Sequence, residues 1–252
     1  LESRAAPSNL PSDSTSFIGR VRELTLLADR LQRTDSRLVT LTGLGGEGKT
    51  RLALQAARDQ LYSYANGVFF VQLGGLSNHE AIPQAIAESI GFTFSSSGEP
   101  RAQLLNHLRQ KETLLLLDNF EHLLDGADFL CTLLKTCPNL TLLVTSREPL
   151  RLQAEWIFDV GGLDASSLGL EPDSAPQASD SLRLFESRAS QLLTHFTLTE
   201  GNLKDTRELC DLLNNLPLGI ELAAASIRQF TPRQIAEQIR ANLDFLSTNL
   251  RD

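Results

Sequence analysis

Residues 38–50 read LVTLTGLGGEGKT, and this stretch decides the fold. Its first part, Leu38–Thr42, consists of Leu, Val and Thr and predicts a strand. An Ala- and Leu-rich helix is predicted over Thr50–Leu61, directly after the glycines. Strand, glycine-rich loop and helix in this order, with the spacing GxxxxGK[ST], are typical of a loop that binds phosphate. The loop consists of Gly43, Leu44, Gly45, Gly46, Glu47, Gly48, Lys49 and Thr50.

The chemistry of this loop predicts a nucleoside triphosphate with Mg²⁺. Glycines let the backbone N–H groups close around anionic oxygens, and the positive end of the following helix faces the same point. Lys49 is expected to reach the outer phosphates, and the Thr50 hydroxyl is expected to ligate Mg²⁺.

The same glycines allow a second interpretation. Gly43, Gly45 and Gly48 also satisfy the dinucleotide pattern GxGxxG, which needs an acidic residue at the end of the second strand. The second predicted strand, Val68–Leu73, runs into two glycines instead. A dinucleotide site would also leave Lys49 and Thr50 unexplained, so the triphosphate interpretation is favoured.

Strands alternate with helices around the loop, which predicts an α/β fold with a parallel sheet and helices on both faces. We expect a flexible lead-in over 1–16, a nucleotide-binding domain over 17–163, a linker over 164–179 and a small all-helical domain over 180–252. Further strands are predicted over Leu114–Leu117, Leu140–Thr145 and Trp156–Val160. Further helices are predicted over Val21–Leu31, Ala81–Ile90, Phe120–Cys137, Leu182–Leu193, Leu203–Asn214, Leu218–Phe230 and Pro232–Leu246.

Composition excludes several classes of protein. The net charge of −8 argues against direct binding of nucleic acid or of an anionic membrane, since both need clustered Lys and Arg. No apolar run approaches the roughly 20 residues that span a bilayer, and residues 1–16 lack the order of a signal peptide. Cys131, Cys137 and Cys210 have no metal-ligand spacing, so we expect reduced thiols in a cytoplasmic protein. The absence of methionine predicts a segment of a longer chain.

An acidic residue, Asp118, closes the apolar run Leu114–Leu117. The carboxyl end of a buried strand is where ligands bind in parallel sheets, so Asp118 is expected to position Mg²⁺ through water. Capping of a helix that begins at Phe120 is the alternative.

A cation, Arg147, follows the strand Leu140–Thr145. Its guanidinium is expected to sense or stabilise charge on the terminal phosphate, with a surface ion pair, for example to Glu148, as the alternative. The hydrolytic base is not identified: Asn119 cannot act as one, and Glu121 and His122 are expected on a helix.

Together these motifs resemble the signal-transduction ATPases with numerous domains (STAND), in particular the NB-ARC-like module of bacterial multidomain transcriptional regulators of the LuxR and SARP types. The matching segments are Phe17-Ile18-Gly19-Arg20, the loop at 43–50, Leu114–Asn119 with Glu121-His122, Thr145–Leu150, and Leu216-Pro217-Leu218. Asn215 replaces the usual glycine before Pro217, and Asn119 replaces a second acidic residue found in many relatives.

The resemblance implies a sheet of order 5-1-4-3-2, in which the strand before Arg147 lies between those of the loop and of Asp118. It also implies an adenine nucleotide, ATP or ADP, contacted by Phe17, Ile18, Arg20 and Arg51, with Pro217 packed on the adenine and the helical domain covering it. The winged-helix domain, its phosphate-binding histidine and the sensor regions of such proteins would lie outside this chain. By this resemblance the function is a slow ATPase switch: ADP-bound at rest, ATP-bound for self-assembly.

Two other functions are alternatives. A phosphotransferase acting on a small molecule would share the loop but should add a second pocket and an Arg-bearing lid, and the helical tail has no cluster of Arg. A DNA-binding regulator is disfavoured by the acidic charge.

Overall fold

The computed structural model describes residues 6–13, 15–164 and 179–242, which form two compact units. The first unit comprises the chain up to Ser16 together with Val21–Leu44 and Lys49–Val160. The second comprises Phe17–Arg20, Gly45–Gly48 and the chain from Gly161 onward. Apart from its two end residues, the linker predicted over 164–179 lies outside the described residues, as does the last part of the helix predicted to reach Leu246.

The first unit contains a five-stranded parallel sheet of order β2-β3-β4-β1-β5. The strands are β1 (Leu38–Thr42), β2 (Val68–Gln72), β3 (Thr113–Asp118), β4 (Leu140–Thr145) and β5 (Glu155–Asp159). Every residue of β1, β3 and β4 is buried, as expected for strands covered on both faces. The α/β fold class and the implied strand order are therefore confirmed, with β4 between β1 and β3.

Helices of the first unit are α1 (Val21–Gln32), α2 (Lys49–Asp59), α3 (Ile82–Ser89), α4 (Pro100–Leu108) and α5 (Ala127–Thr136). The prediction of one helix over Phe120–Cys137 is wrong in its first part, where two 3₁₀ turns, Phe120–His122 and Leu124–Gly126, precede α5. The sequence pattern does not predict helix α4 (Pro100–Leu108). It begins where Glu99 accepts hydrogen bonds from the N–H groups of Arg101 and Ala102.

The start of the described chain follows the edge of β2. Residue Ser8 forms a parallel bridge with Val68. The amide of Asn9 donates to the carbonyl of Phe70 at 2.8 Å and accepts from its N–H at 2.6 Å, as a neighbouring strand would. Arg58 of α2 also binds Asp13, so this segment contacts the first unit at several points. The flexible lead-in over 1–16 stays a prediction. An edge strand covered in this way has fewer free N–H and C=O groups for pairing with another chain.

The second unit is helical, with α6 (Asp180–Leu192), α7 (Glu200–Leu212), α8 (Pro217–Ala224) and α9 (Pro232–Ala241) around its own apolar core. Helix α9 begins at a capping box, in which Thr231 and Gln234 bind each other's main chain. Helix α8 ends at Ala224, six residues before the predicted Phe230. The backbone hydrogen bonds that follow mostly join residues three apart, such as Ile227 N–H to the Ala224 carbonyl, as in turns.

The cysteines are free thiols. Burial raises the pKa of the Cys210 thiol to about 12 and that of Cys137 above its usual value. In the described part of the chain, none of the helices has the length and apolar character needed to cross a membrane.

Candidate functional site

The loop at 43–50 connects β1 to α2, as the sequence predicts. Gly46 and Gly48 have φ of 85° and 82°, a left-handed conformation that would strain a side chain. The Lys49 ammonium donates to the carbonyls of Gly43, at 2.8 Å, and Leu44, at 2.7 Å. Its positive charge therefore lies against the main chain of the loop.

Asp118, the last residue of β3, forms the centre of a buried hydrogen-bond network. One oxygen, Oδ1, accepts from the Thr50 hydroxyl at 2.7 Å and from the Thr145 hydroxyl at 2.6 Å. The Thr145 oxygen in turn accepts the N–H of Asn119 at 3.0 Å. The hypothesis that Asp118 caps a helix at Phe120 is wrong, since Asn119 occupies the cap position and no side chain caps that turn.

The Thr50 hydroxyl and the Asp118 carboxylate are suitable ligands for Mg²⁺, which prefers oxygen ligands and keeps several waters. Thr50 offers a hydroxyl and Asp118 a carboxylate, and the two oxygens are in direct contact. The residues that the structure describes contain no group of three or more His, Cys, Asp or Glu that could hold a metal by themselves. A cation at Thr50 and Asp118 would therefore need phosphate oxygens and water to complete its coordination.

Thr145 is the site residue that sequence reasoning missed. The available signal was its position: it ends β4, the strand that pairs with β3, so its side chain is a neighbour of the residues that end β3. In the sequence, the motif that begins at Thr145 draws attention to Arg147 alone.

Arg147 forms an ion pair with Glu121, in which Nε lies 3.2 Å from Oε1. The Arg147 side chain is 69% exposed. Glu148, the alternative partner suggested by the sequence, faces Arg151 at 3.7 Å. Glu121 belongs to the 3₁₀ turn Phe120–His122, which begins after the left-handed Asn119.

His122 also lies in this turn. Its Nε2 is 3.1 Å from the carbonyl of Leu76. The predicted place of Glu121 and His122 on a longer helix is thus replaced by a short turn directly after Asp118.

Arg20 is buried within the second unit, and its guanidinium donates to main-chain carbonyls. Its Nη2 donates to the carbonyls of Glu47, at 2.8 Å, and Gly161, at 2.7 Å. The Arg20 main-chain N–H donates to Asp180 Oδ2 at 3.0 Å. The neighbouring Ile18 packs partly buried against the core of the same unit.

Arg51, expected to contact nucleotide, binds the main chain of the first unit. Its Nη2 donates to the carbonyls of Thr15, at 3.2 Å, and Ser16, at 3.0 Å. Arg51 thereby fixes the segment that leads into the half-buried Phe17.

Pro217 is the first residue of α8 and lies close to the loop at Gly48: a Cβ placed on Gly48 would be 3.7 Å from its ring. The next residue, Leu218, donates its N–H to the Gly46 carbonyl at 3.2 Å. Asn215, at the position usually held by glycine, has φ of 54°. Asn adopts this left-handed conformation more readily than most residues, so the turn before Pro217 tolerates the replacement.

A family model described as the NB-ARC domain matches residues 21–149. The chain belongs to the NB-ARC family. This NB-ARC domain is 34% identical over 203 residues to a Mycobacterium tuberculosis protein named as an HTH-type transcriptional regulator, covering 80% of this chain and 21% of the relative. It is 30% identical over 152 residues to the regulatory protein AfsR of Streptomyces griseus, covering 56% of this chain and 15% of AfsR. The chain thus spans about a fifth or less of the length of these regulators.

Solved structures share the fold of this NB-ARC domain at low sequence identity. The STAND protein PH0952 of Pyrococcus horikoshii, which has a tetratricopeptide-repeat sensor, matches with a TM-score of 0.58 and 16% identity over 92% of this chain and 33% of its own. The ORC2 protein of Aeropyrum pernix, solved as ADPNP–ADP complexes, matches with a TM-score of 0.56 and 16% identity over 91% of this chain and 70% of its own.

Proposed function

We propose that this NB-ARC domain is an adenine-nucleotide switch that binds ATP and ADP with Mg²⁺ and hydrolyses ATP slowly. The observation that carries the proposal is the contact of 2.7 Å between Thr50, at the end of the phosphate-binding loop, and Asp118, at the end of a buried strand. A hydroxyl and a carboxylate in this arrangement, after a glycine-rich loop, suit a nucleotide bound together with Mg²⁺.

Each part of the site has a distinct task in this proposal. The loop N–H groups and the start of α2 bind the phosphate oxygens. Lys49 adds a positive charge near the outer phosphates. Thr50 and Asp118 hold Mg²⁺, which neutralises phosphate charge when it is bound. Thr145 keeps the Asp118 carboxylate in place through its hydroxyl.

Slow hydrolysis follows from the groups around Asp118. Hydrolysis needs a side chain that orients or deprotonates water. Asn119 cannot accept a proton, and the carboxylate of Glu121 is engaged with Arg147. A site that binds phosphate firmly and lacks a free base retains its nucleotide, and a switch works by the different affinities of its ligands for two conformations.

Adenine is the base that we propose. The support is Pro217, which lies at the start of α8 near Gly48, in the position that the family resemblance gives to a proline packed on adenine. The adenine nucleotides of the ADPNP–ADP complexes of ORC2, which shares the fold, are consistent with this choice.

In the full-length protein we propose that the domain regulates transcription through regions outside this chain, a winged-helix domain and a sensor among them. The support is that the matched regulators from Mycobacterium and Streptomyces are several times longer than this chain. Binding of ATP would favour the conformation that assembles with other copies, while the domain itself makes no contact with nucleic acid or membrane.

Calorimetry with ADP and ATP tests nucleotide binding. Lys49→Ala is expected to weaken both affinities about tenfold or more, since hydrogen bonds to charged groups contribute roughly 1.5–3 kcal/mol. Lys204→Ala is the matched control, because Lys204 is an exposed lysine of α7. Equal affinities in wild type and Lys49→Ala would refute the proposal. ATP turnover of many per second by the isolated domain would refute the switch and leave an ordinary ATPase.

A further inference from the structure

We propose that Arg20 is a positioning residue for the phosphate-binding loop. Its guanidinium holds the Glu47 carbonyl, so that the N–H of the next residue, Gly48, is directed to the opposite side, where the phosphate binds. The inference rests on the proposed nucleotide binding and specifies how the loop is kept in its binding conformation.

The Arg20 side chain is buried and hydrogen-bonded to the main chain. The residue is 4% exposed, and one terminal nitrogen is shared between the carbonyls of Glu47 and Gly161. Burying a guanidinium is costly unless it is well hydrogen-bonded, and bonds from a charged donor are the strong ones. The Glu47 carbonyl is therefore held firmly on the side of Arg20.

The backbone at Arg20 is fixed as well. Arg20 has φ of 58°, a conformation that costs free energy for a residue with a side chain. Its N–H binds Asp180 at the start of α6, and Asp180 lies so close to Gly19 that a Cβ there would be 2.2 Å from the carboxyl carbon. Such a conformation persists only where the surroundings impose it, so these contacts set the position from which Arg20 reaches the loop.

The geometry of the peptide bond transmits this constraint. A trans peptide is planar, with its C=O and the following N–H on opposite sides. The described residues contain no cis peptide bond. Holding the Glu47 carbonyl therefore fixes the direction of the Gly48 N–H. Gly48, with φ of 82°, lacks the side chain that would oppose this conformation.

The neighbouring peptide of the loop is held in the same way. The N–H of Leu218 binds the carbonyl of Gly46. The donors thus occupy the carbonyl side of two successive loop peptides, and the N–H groups of Glu47 and Gly48 face the other way. Among these donors Arg20 is a side chain from outside the loop, so it can be substituted without changing the loop sequence.

The experiment measures the affinities of ADP, ATP and adenosine for the wild type, Arg20→Gln and Arg20→Lys. The affinity for adenosine is measured by its competition with bound nucleotide. Arg22→Gln is the matched control, because Arg22 is an exposed arginine two residues further along the chain. In Arg20→Gln the affinities for ADP and ATP should fall about tenfold or more, as expected for a lost hydrogen bond to a charged group. The affinity for adenosine should stay within about twofold. Arg20→Lys should be intermediate, since an ammonium lacks the planar fork of Arg.

Two results would overturn the inference. An equal loss for adenosine and ADP would make Arg20 a contact of the nucleoside, and an unchanged ADP affinity in Arg20→Gln would remove any role in the loop. If the wild type binds no ADP, the proposed function itself fails; if it binds and the Arg20 variants behave as Arg22→Gln, only this inference fails.

Folding of each variant is checked by thermal unfolding without nucleotide. Should Arg20→Gln not fold, Arg20→Lys is tested by NMR instead. The change in chemical shift of the Gly48 amide on ADP binding should be smaller in this variant than in the wild type. A change as large as that of the wild type would contradict the inference.

Discussion

Asp118 ends β3 and Arg147 follows the neighbouring strand β4, yet the structure holds them very differently. Asp118 is 6% exposed, and one of its oxygens accepts hydrogen bonds from two hydroxyls. The Arg147 side chain is 69% exposed and makes an ion pair with Glu121. The first group has its position set by the fold, whereas the second can leave its partner at little cost.

This difference predicts how substitutions divide between folding and binding. Removing one partner of a buried hydrogen bond typically costs about 1–3 kcal/mol, whereas an exposed ion pair contributes about 0.2–1 kcal/mol. Changes at the Asp118 network should therefore lower stability as well as nucleotide binding. Changes at Arg147 should alter binding alone.

The largest effect is expected for Asp118→Ala. The wild type should bind ATP more tightly with Mg²⁺ than with EDTA, and Asp118→Ala should lose that difference, with a fall in Mg·ATP affinity of about tenfold or more. The free energy of unfolding should also drop by about 1–3 kcal/mol, because Thr50 and Thr145 lose their acceptor. Calorimetry and chemical denaturation measure the two effects.

Asp118→Asn separates charge from shape at this position. It retains an acceptor oxygen for the hydroxyls, so it should recover most of the stability and little of the dependence on Mg²⁺. A full dependence on Mg²⁺ in either variant would show that Asp118 does not position the cation.

The next effect concerns Thr145→Val, which removes the hydroxyl that joins Asp118 to the Asn119 N–H. The expected loss is about 1–3 kcal/mol of stability, or a lower melting temperature by roughly 2–10 °C. Thr40→Val is a close control: Thr40 is a fully buried strand threonine whose hydroxyl has no hydrogen-bond partner among the described residues. Thr40→Val should be neutral or stabilising, and an equal loss in both variants would mean that the hydroxyl bonds of Thr145 contribute nothing specific.

The sequence predicts the positions of Asp118 and of the loop residues well. An acidic residue after four buried leucines has its place fixed by the parallel sheet, and the loop residues have theirs fixed by the strand and helix that flank them. The strand order came from the family resemblance, because strand periodicity alone does not say which strands are neighbours.

The Arg147 side could not be predicted in the same way. Its pairing with Glu121 depends on the left-handed Asn119 and the 3₁₀ turn that follows, neither of which has a periodic pattern. The path of the start of the chain is similar, since Asn9 binds Phe70, which is 61 residues away. Contacts between distant irregular segments leave no local signal in the sequence.

A smaller effect is expected for Arg147→Gln. Its stability should stay within about 0.5 kcal/mol of the wild type, because the ion pair is exposed. If Arg147 senses the terminal phosphate, the affinity for ATP should fall severalfold while that for ADP is unchanged. Arg151→Gln is the control, because Arg151 is also well exposed and pairs with Glu148. If the affinities for ATP and ADP fall equally, or do not fall, Arg147 does not sense the terminal phosphate.

The smallest effect is expected for Glu121→Gln. This variant also separates two possible roles of the Glu121 carboxylate. Glu121 and a terminal phosphate would compete for the same guanidinium, so neutralising Glu121 should free Arg147 and raise ATP affinity by a fewfold, with ADP affinity unchanged. In the double variant with Arg147→Gln this gain should vanish, since the two residues act through one contact. If Glu121 were instead the hydrolytic base, Glu121→Gln would abolish phosphate release and the double variant would show no such cancellation. Parallel measurement of ATP affinity and phosphate release therefore distinguishes a carboxylate that restrains Arg147 from one that activates water.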